Sequence, residues 1–599
     1  MLPLYLWLAG HAQAAQQKEY QLLLAGGALN TCSSLSQHNC THSRLNSDST
    51  SPLRQQMLYE ISDKRIEALE VLVEKQWIDE GSAELNHVSS VLRNGLQTSL
   101  SKAALTRSEL FDYFDHMNIL DAVKALPDPA YFALLDHLEH QQLDSQGNRL
   151  RELADVNQNT NHFSARIYQR FAEQVRLKAT RLGQNPHILV ATSSSRDAFE
   201  VADFYESAFE SLGIEATWFP VDQALAYALS NKDLQPDTCE NLPSIRARFH
   251  LYDRERIYPQ RTQFQEKVCK QSEILLKLIE RSQGMFFNGG DQSKTLNSLL
   301  NNRSLPLTFW KLVQQQVQNN NMIVGGTSAG TAVQAGNVFA NRPIPMITNG
   351  TSASAVKRGP FPALAPSQRC SSDACDNGLN ADDLTYMPRG GSGLFHVGFL
   401  DTHFSERDRE GRMIALALTS KSALAAGVDE TTALLYANDN TTIHLEVLGK
   451  NGVFLVDGDN HVQQIVNSPA LSQRQMAGFA HFLVDGMRAT IPINSLEREA
   501  KNQAPIPKLG MLELNESGEQ QGFEIVSERK VLSKLEQGVW RDVTRQYCGG
   551  TDAISFSLFN ASFVLAPDDT TRFFVDRDRK HCGYTYLPFV IDYSSSTSL

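Results

Sequence analysis

The chain has 599 residues, 41% of them hydrophobic, and its 55 basic and 67 acidic side chains leave a formal net charge of −12. That length divides into more than one domain, and the composition is that of a globular protein, not a disordered or fibrous one. The acidic balance argues against nucleic acid or an anionic membrane surface as partner.

In chain order, Met1 to Ala15 comes first. It holds the apolar run Leu2 to Ala9 followed by Ala12-Gln13-Ala14, which predicts an export signal with an A-x-A cleavage site. No later segment approaches the ~18 apolar residues of a spanning helix. Tyr20 to Gly27 is an apolar run ending in two glycines, the opening strand of an α/β sheet. The next comparable strand is His187 to Thr192, and residues 43–185 between them read as an inserted helical subdomain, with apolar residues at helical spacing in Arg65 to Trp77 and Phe163 to Leu182. From 187 the α/β rhythm is regular: a helix over Asp197–Leu212, a strand over Glu215–Pro220, a helix over Cys269–Ser282 and a strand over Gly284–Phe287. A helix over Pro306–Asn319 and a strand into Ser328 follow. Such alternation predicts a parallel sheet with helices on its faces and ligands at the carboxyl ends of its strands.

Residues 341–392 are rich in Pro, Gly, Ser and Asp and read as a lid-like loop insertion. The rhythm resumes with a strand over Leu394–Leu400, a helix over Ser405–Ser420 and a strand near Leu424–Val428. Strand-like runs to about residue 495 close the α/β domain, which comprises 16–42 and 186–495. Residues 496–599 alternate apolar and polar side chains and predict a small β-rich C-terminal region. The eight cysteines fall in neighbouring pairs, Cys32/Cys40, Cys239/Cys269, Cys370/Cys375 and Cys548/Cys582, each in polar, loop-like sequence and none with paired C-x-x-C zinc spacing. They predict four local disulfides, an oxidising compartment and no metal.

The chemistry centres on Gly325-Gly326-Thr327-Ser328-Ala329-Gly330, which lies behind the apolar run Met322-Ile323-Val324. This is the G-x-S-x-G pattern of a nucleophile elbow, a strained turn that exposes a hydroxyl above the end of a sheet. Such a serine needs a base and a third group to fix the base's tautomer. Of 16 histidines, His403 stands out because it follows a strand's carboxyl end, as Ser328 does. Beyond it, Ser405-Glu406-Arg407-Asp408 reads as a capping box, yet Arg407, Arg409 and Arg412 crowd the first turns, where the helix dipole disfavours cations. Their position fits bidentate recognition of carboxylates. Asp401, two residues before His403, and Glu430, at the end of another strand, are both candidates for the third group, and spacing does not choose between them. The strand and Gly-Gly turn Phe286 to Gln292 can present backbone N–H groups to an oxyanion and a glutamine to a substrate amide or carboxylate.

Five of these segments, Leu24-Ala25-Gly26-Gly27, Phe287 to Ser293, Gly325 to Gly330, Asp401 to Arg412 and Gly427 to Ala433, occur in the order in which they stand in one family. The chain thereby resembles the cyanophycinase and aspartyl-dipeptidase (dipeptidase E) serine peptidases, over roughly residues 20–42 and 187–495. The resemblance implies an α/β fold with a flavodoxin-like, class I glutamine-amidotransferase-like sheet. It implies Ser328 as nucleophile, His403 as general base and Glu430 as the acid of a Ser-His-Glu triad. It gives an oxyanion hole from the N–H groups of Ala329 and Gly290, and a pocket lined by Gln292, Asp401, Thr402, Arg407, Arg409 and Arg412. No cofactor is called for. The expected substrate is a peptide or polyamide rich in Asp and Arg, with cyanophycin first and β-Asp-Arg dipeptides as product; a homodimer is common in the family. The chain departs from the family at Thr402, where cyanophycinases commonly have Gln, and in the 341–392 insertion. Those departures favour the alternative of an Asp-directed or isoaspartyl di- or oligopeptidase. A non-catalytic surface binding protein is the rival from another class.

Overall fold

The structure is a computed structural model. It describes residues 18–41, 53–75, 77, 80–96, 104–301, 305–336, 344–367, 370, 375, 378–456, 462–468, 473–497, 506–514, 523–530, 532, 537–576, 578 and 580–594. The leader-like stretch Met1 to Ala15 lies outside the described residues.

Strands β1 (Leu22–Ala25), β2 (His187–Ala191), β3 (Glu215–Phe219), β4 (Gly284–Phe287) and β5 (Ile323–Thr327) run parallel in the spatial order β3-β2-β4-β5-β1. Their near-continuous apolar sequence follows from burial on both faces. Leu22, Leu24, Leu189, Met285 and Val324 point into one core, while Leu23, Ile188, Val190, Phe286 and Ile323 point into the other. This is the period of two expected for strands with helices above and below.

Helix His162–Leu182 belongs to this sheet and not to the helical insert in which the sequence pattern placed it. Its Tyr168, Phe171 and Val175 pack with Phe286 and Phe209 in the second core. The insert proper has its own core, built from Tyr59 to Leu138 and closed by Tyr252. One of its helices, Arg107–His116, starts on a capping box formed by Thr106 and Glu109. Residues 139–161 are mostly irregular and bridge back to the segment after β1. Arg254, only 1% exposed, pins the insert to the sheet through Glu139 at 2.8 Å and Asp197 at 2.6 Å.

Beyond β5 the chain weaves between two sheets. Strands β6 (Gly398–Thr402) and β7 (Leu424–Val428) pair parallel and begin a second sheet. Strand β8 (Thr432–Asn438) returns to pair antiparallel with β1, and β9 (Thr442–Gly449) lies beside β8. Strand β10 (Gly452–Val456) goes back to β7, followed by β11 (Gln473–Val484) and β12 (Cys582–Ser594). The C-terminal region is therefore shared between the sheets: Ile506–Leu509 and Glu513–Leu514 extend the first by pairing with Arg488–Glu497, while β12 belongs to the second and turns Leu587, Phe589, Ile591 and Tyr593 into its core. Alternation marked them as strands but carries no information about which edge they join.

All four expected cysteine pairs are disulfides, Cys32–Cys40, Cys239–Cys269, Cys370–Cys375 and Cys548–Cys582. Among the described residues no helix is long and apolar enough to cross a membrane.

Candidate active site

Ser328 stands at the carboxyl end of β5, where the chain turns sharply. Its φ of 54° is a conformation that a serine holds only under constraint. The constraint is visible: its N–H donates to Ala25 O at 3.0 Å, and Thr331 Oγ1 donates to Ala25 O at 2.7 Å and Gly326 O at 2.8 Å. The hydroxyl lies 2.8 Å from His403 Nε2, and His403 Nδ1 lies 2.6 Å from Glu430 Oε1. With the ring proton on Nδ1, the imidazole donates to Glu430 and accepts from Ser328. A ring held in this way can accept the proton of a hydroxyl acting as nucleophile.

Spacing left Asp401 and Glu430 as rivals for the carboxylate and the family resemblance implied Glu430; in the structure it is Glu430, and not Asp401, that meets the imidazole. The period of two breaks at His403, whose φ is 48° and whose ring turns away from the Asp401 face. His403 is held by its own N–H to Gly26 O at 2.8 Å, and its ring lies directly over Gly27. Burial is the main influence that keeps the His403 pKa below the ordinary histidine value; Glu430 opposes it, and the Arg407 and Arg409 charges add to it.

Asp401, fully buried, instead receives a bidentate pair from Arg412, Nε at 2.7 Å and Nη2 at 2.5 Å, and a third bond from Arg409 Nη1 at 3.2 Å. Burial pushes its carboxyl up, but the Arg412 and Arg409 guanidiniums outweigh burial and hold it below the usual range. Burial and the neighbouring Arg412 charge pull Arg409 down to about 9, which leaves it a cation at neutral pH. Arg407 is exposed at the rim. The three arginines thus do three things: Arg412 is spent on Asp401, Arg409 is shared with Thr402 O, and Arg407 faces outward.

The expected helix Ser405–Ser420 begins only at Glu410, after a turn of 3-10 helix at Ser405–Arg407 and a left-handed Asp408 at φ 47°. No capping box forms, because Asp408 Oδ1 accepts the Val539 N–H and Asp408 O accepts from Ser352 Oγ.

An open pocket of about 880 Å³ faces this assembly, lined by Gly290, Gln292, Ser328, Ala329, Asp401, Thr402, His403, Arg407, Arg409 and Arg412. The N–H groups of Gly290 and Ala329 have no acceptor among the described residues. Position 290 needs glycine, because its φ is +144° and a Cβ there would lie 2.3 Å from Ser194 O. The opposite wall, Ile347 to Gly350, lies in the stretch read as a lid-like insertion, although nothing in the sequence singled out these four residues. It comes from the Gly- and Ser-rich insertion, and Gln292 Nε2 anchors it by donating to Ile347 O at 2.7 Å. Among the described residues no cluster of His, Cys, Asp and Glu has the arrangement of a metal site.

No known family's sequence model matches the chain. Curated relatives do: the cyanophycinase of Trichormus variabilis is 28% identical over 189 residues, 32% of this chain and 49% of that protein. The cyanophycinase of Synechococcus elongatus is 31% identical over 209 residues, 34% of this chain and 52% of that protein. The chain is thus similar in sequence to cyanophycinases over about a third of its length. It spans about half the length of these relatives. Among solved structures, a peptidase from an acI-B1 Actinobacterium covers 53% of this chain and 89% of its own at 14% identity, with a TM-score of 0.28, too low to argue from.

Proposed function

We propose that the protein is a serine peptidase that cleaves next to aspartyl residues through an acyl-enzyme. The observation that carries this reading is the unbroken chain Ser328 Oγ–His403 Nε2 and His403 Nδ1–Glu430 at the mouth of the arginine-lined pocket. Ser328 attacks the peptide carbonyl as its proton passes to His403, with Glu430 holding the imidazolium that forms. The oxyanion meets the N–H groups of Ala329 and Gly290. His403 then gives its proton to the leaving amine, and a water activated by the same imidazole hydrolyses the ester.

Cyanophycin, a poly-aspartate chain with arginine on each β-carboxyl, is the substrate of choice, with β-Asp-Arg dipeptides as product. The names of the curated relatives and the excess of guanidinium over carboxylate in the pocket support it. Thr402 and the Ile347–Gly350 wall favour Asp-X or isoaspartyl peptides as the second reading. The parallel order of β3-β2-β4-β5-β1 supports a flavodoxin-like, amidotransferase-like sheet, and the four disulfides support an exported protein. Incubation with cyanophycin and an Asp-X panel separates the two substrates. Ser328→Ala abolishes release on this mechanism, and release by that variant would sink it.

A further inference from the structure

The C-terminal region reaches the candidate active site from behind. Helix Val539–Gln546 packs on the turn Ser405–Arg407, and its Trp540, 2% exposed, donates to Tyr584 OH at 2.9 Å. Phe454 meets Trp540 edge-on at 5.4 Å and stacks on Phe404, the neighbour of His403, at 5.3 Å. The next residue is Arg541, its side chain 6% exposed. A single nitrogen, Nη1, donates to Glu406 Oε1 at 2.7 Å and to Asp429 Oδ2 at 2.5 Å.

Both carboxylates continue to the backbone of the candidate triad. Glu406 Oε2 accepts the Glu430 N–H at 3.0 Å, and Asp429 Oδ1 accepts the Ser405 N–H at 2.9 Å. The two acids are almost wholly buried, at 8% and 0% side-chain exposure. Two such charges side by side repel strongly unless a cation lies between them. Burial and the Asp429 charge push Glu406 up to about 7 even with Arg541 in place, so the balance is close.

We propose that Arg541 is a positioning residue of the catalytic centre: by bridging Glu406 and Asp429 it fixes the two loops that carry His403 and Glu430. The inference rests on Ser328, His403 and Glu430 acting as the triad. It makes the C-terminal region part of the machinery although none of its described residues lines the pocket. Arg541 acts through the Glu430 and Ser405 backbone, so its loss weakens the chemical step and leaves substrate binding in place.

The test uses the full-length, oxidised protein and two readouts, the rate at which a serine-directed fluorophosphonate labels Ser328 and the separate kcat and KM for one Asp-containing peptide. Arg541→Met is expected to label about 100-fold more slowly, as a displaced catalytic group does, with the loss in kcat and not KM. Arg541→Lys, whose ammonium restores the charge, labels within about tenfold of the native protein. Once Glu406→Gln has removed the repulsion, Arg541→Met added to it costs less than about tenfold, the sign of two residues acting as one unit. A folded Arg541→Met with native labelling overturns the proposal. Should that variant not fold, failure of either the lysine or the double-variant comparison overturns it. If the native protein itself is not labelled at Ser328, the triad reading fails and not merely the role of Arg541.

Discussion

Gly27 offers a sharp test of the candidate triad without altering any of its members. A Cβ at this position would lie 2.3 Å from His403 Cε1 and 2.5 Å from Nε2, whereas ordinary contact begins near 3.4 Å. In Gly27→Ala the ring therefore has to retreat by about 1 Å. Its two hydrogen bonds, 2.8 Å to Ser328 and 2.6 Å to Glu430, cannot both survive that move. The φ of +115° adds backbone strain of ~1–3 kcal/mol. A 1 Å misplacement of a catalytic group costs about 100-fold in rate, which corresponds to about 2.7 kcal/mol on the barrier. The assay pairs steady-state hydrolysis of an Asp-containing peptide with fluorophosphonate labelling of Ser328, on protein whose fold is checked by circular dichroism. A folded Gly27→Ala variant with rates within about threefold of the native protein would refute the assignment of His403 as base, since that displacement should cost about 100-fold.

Two further outcomes follow from the charges around the pocket. On the proposed mechanism catalysis needs neutral His403, whose pKa is lowered chiefly by burial and further by Arg407. The acid limb of the kcat/KM profile is therefore expected below about pH 6.5. Removing a cation stabilises the imidazolium, so Arg407→Ala moves that limb to higher pH, and an unmoved or lower limb contradicts the sign. Asp401→Asn leaves the buried Arg412 without its bidentate partner and is expected to cost about 3–5 kcal/mol in urea denaturation.

The parallel strands were legible because each is a short apolar run ending in glycine or a polar turn, and Ser328 and His403 were legible because each follows such a run. Spacing did not choose Glu430 over Asp401, since that depends on the positive φ at His403, which no spacing rule encodes; only the order of motifs shared with a known family pointed to Glu430. Leu394, Phe395 and Val397 read as strand because they are apolar, yet they are core residues of an irregular stretch, and the strand begins at Gly398. Ile347–Gly350 and Arg541 gave no local signal, because a wall residue and a distant cation acquire meaning only from what folds against them.

The weaving of the chain has one more consequence. Ser328 is carried by the first sheet and His403 by the second, while Glu430 sits in the short link Asp429–Thr431 that passes between them. That link is tied to the first sheet by Thr431 N–H to Gly27 O and to the second by Asp429 Oδ1 to the Ser405 N–H. A slide of one sheet on the other would tear both ties within three residues. The seam is thus tied on both sides, and on the proposed function any adjustment to a substrate falls to the rim, where the Ile347–Gly350 wall and Arg407 line the pocket.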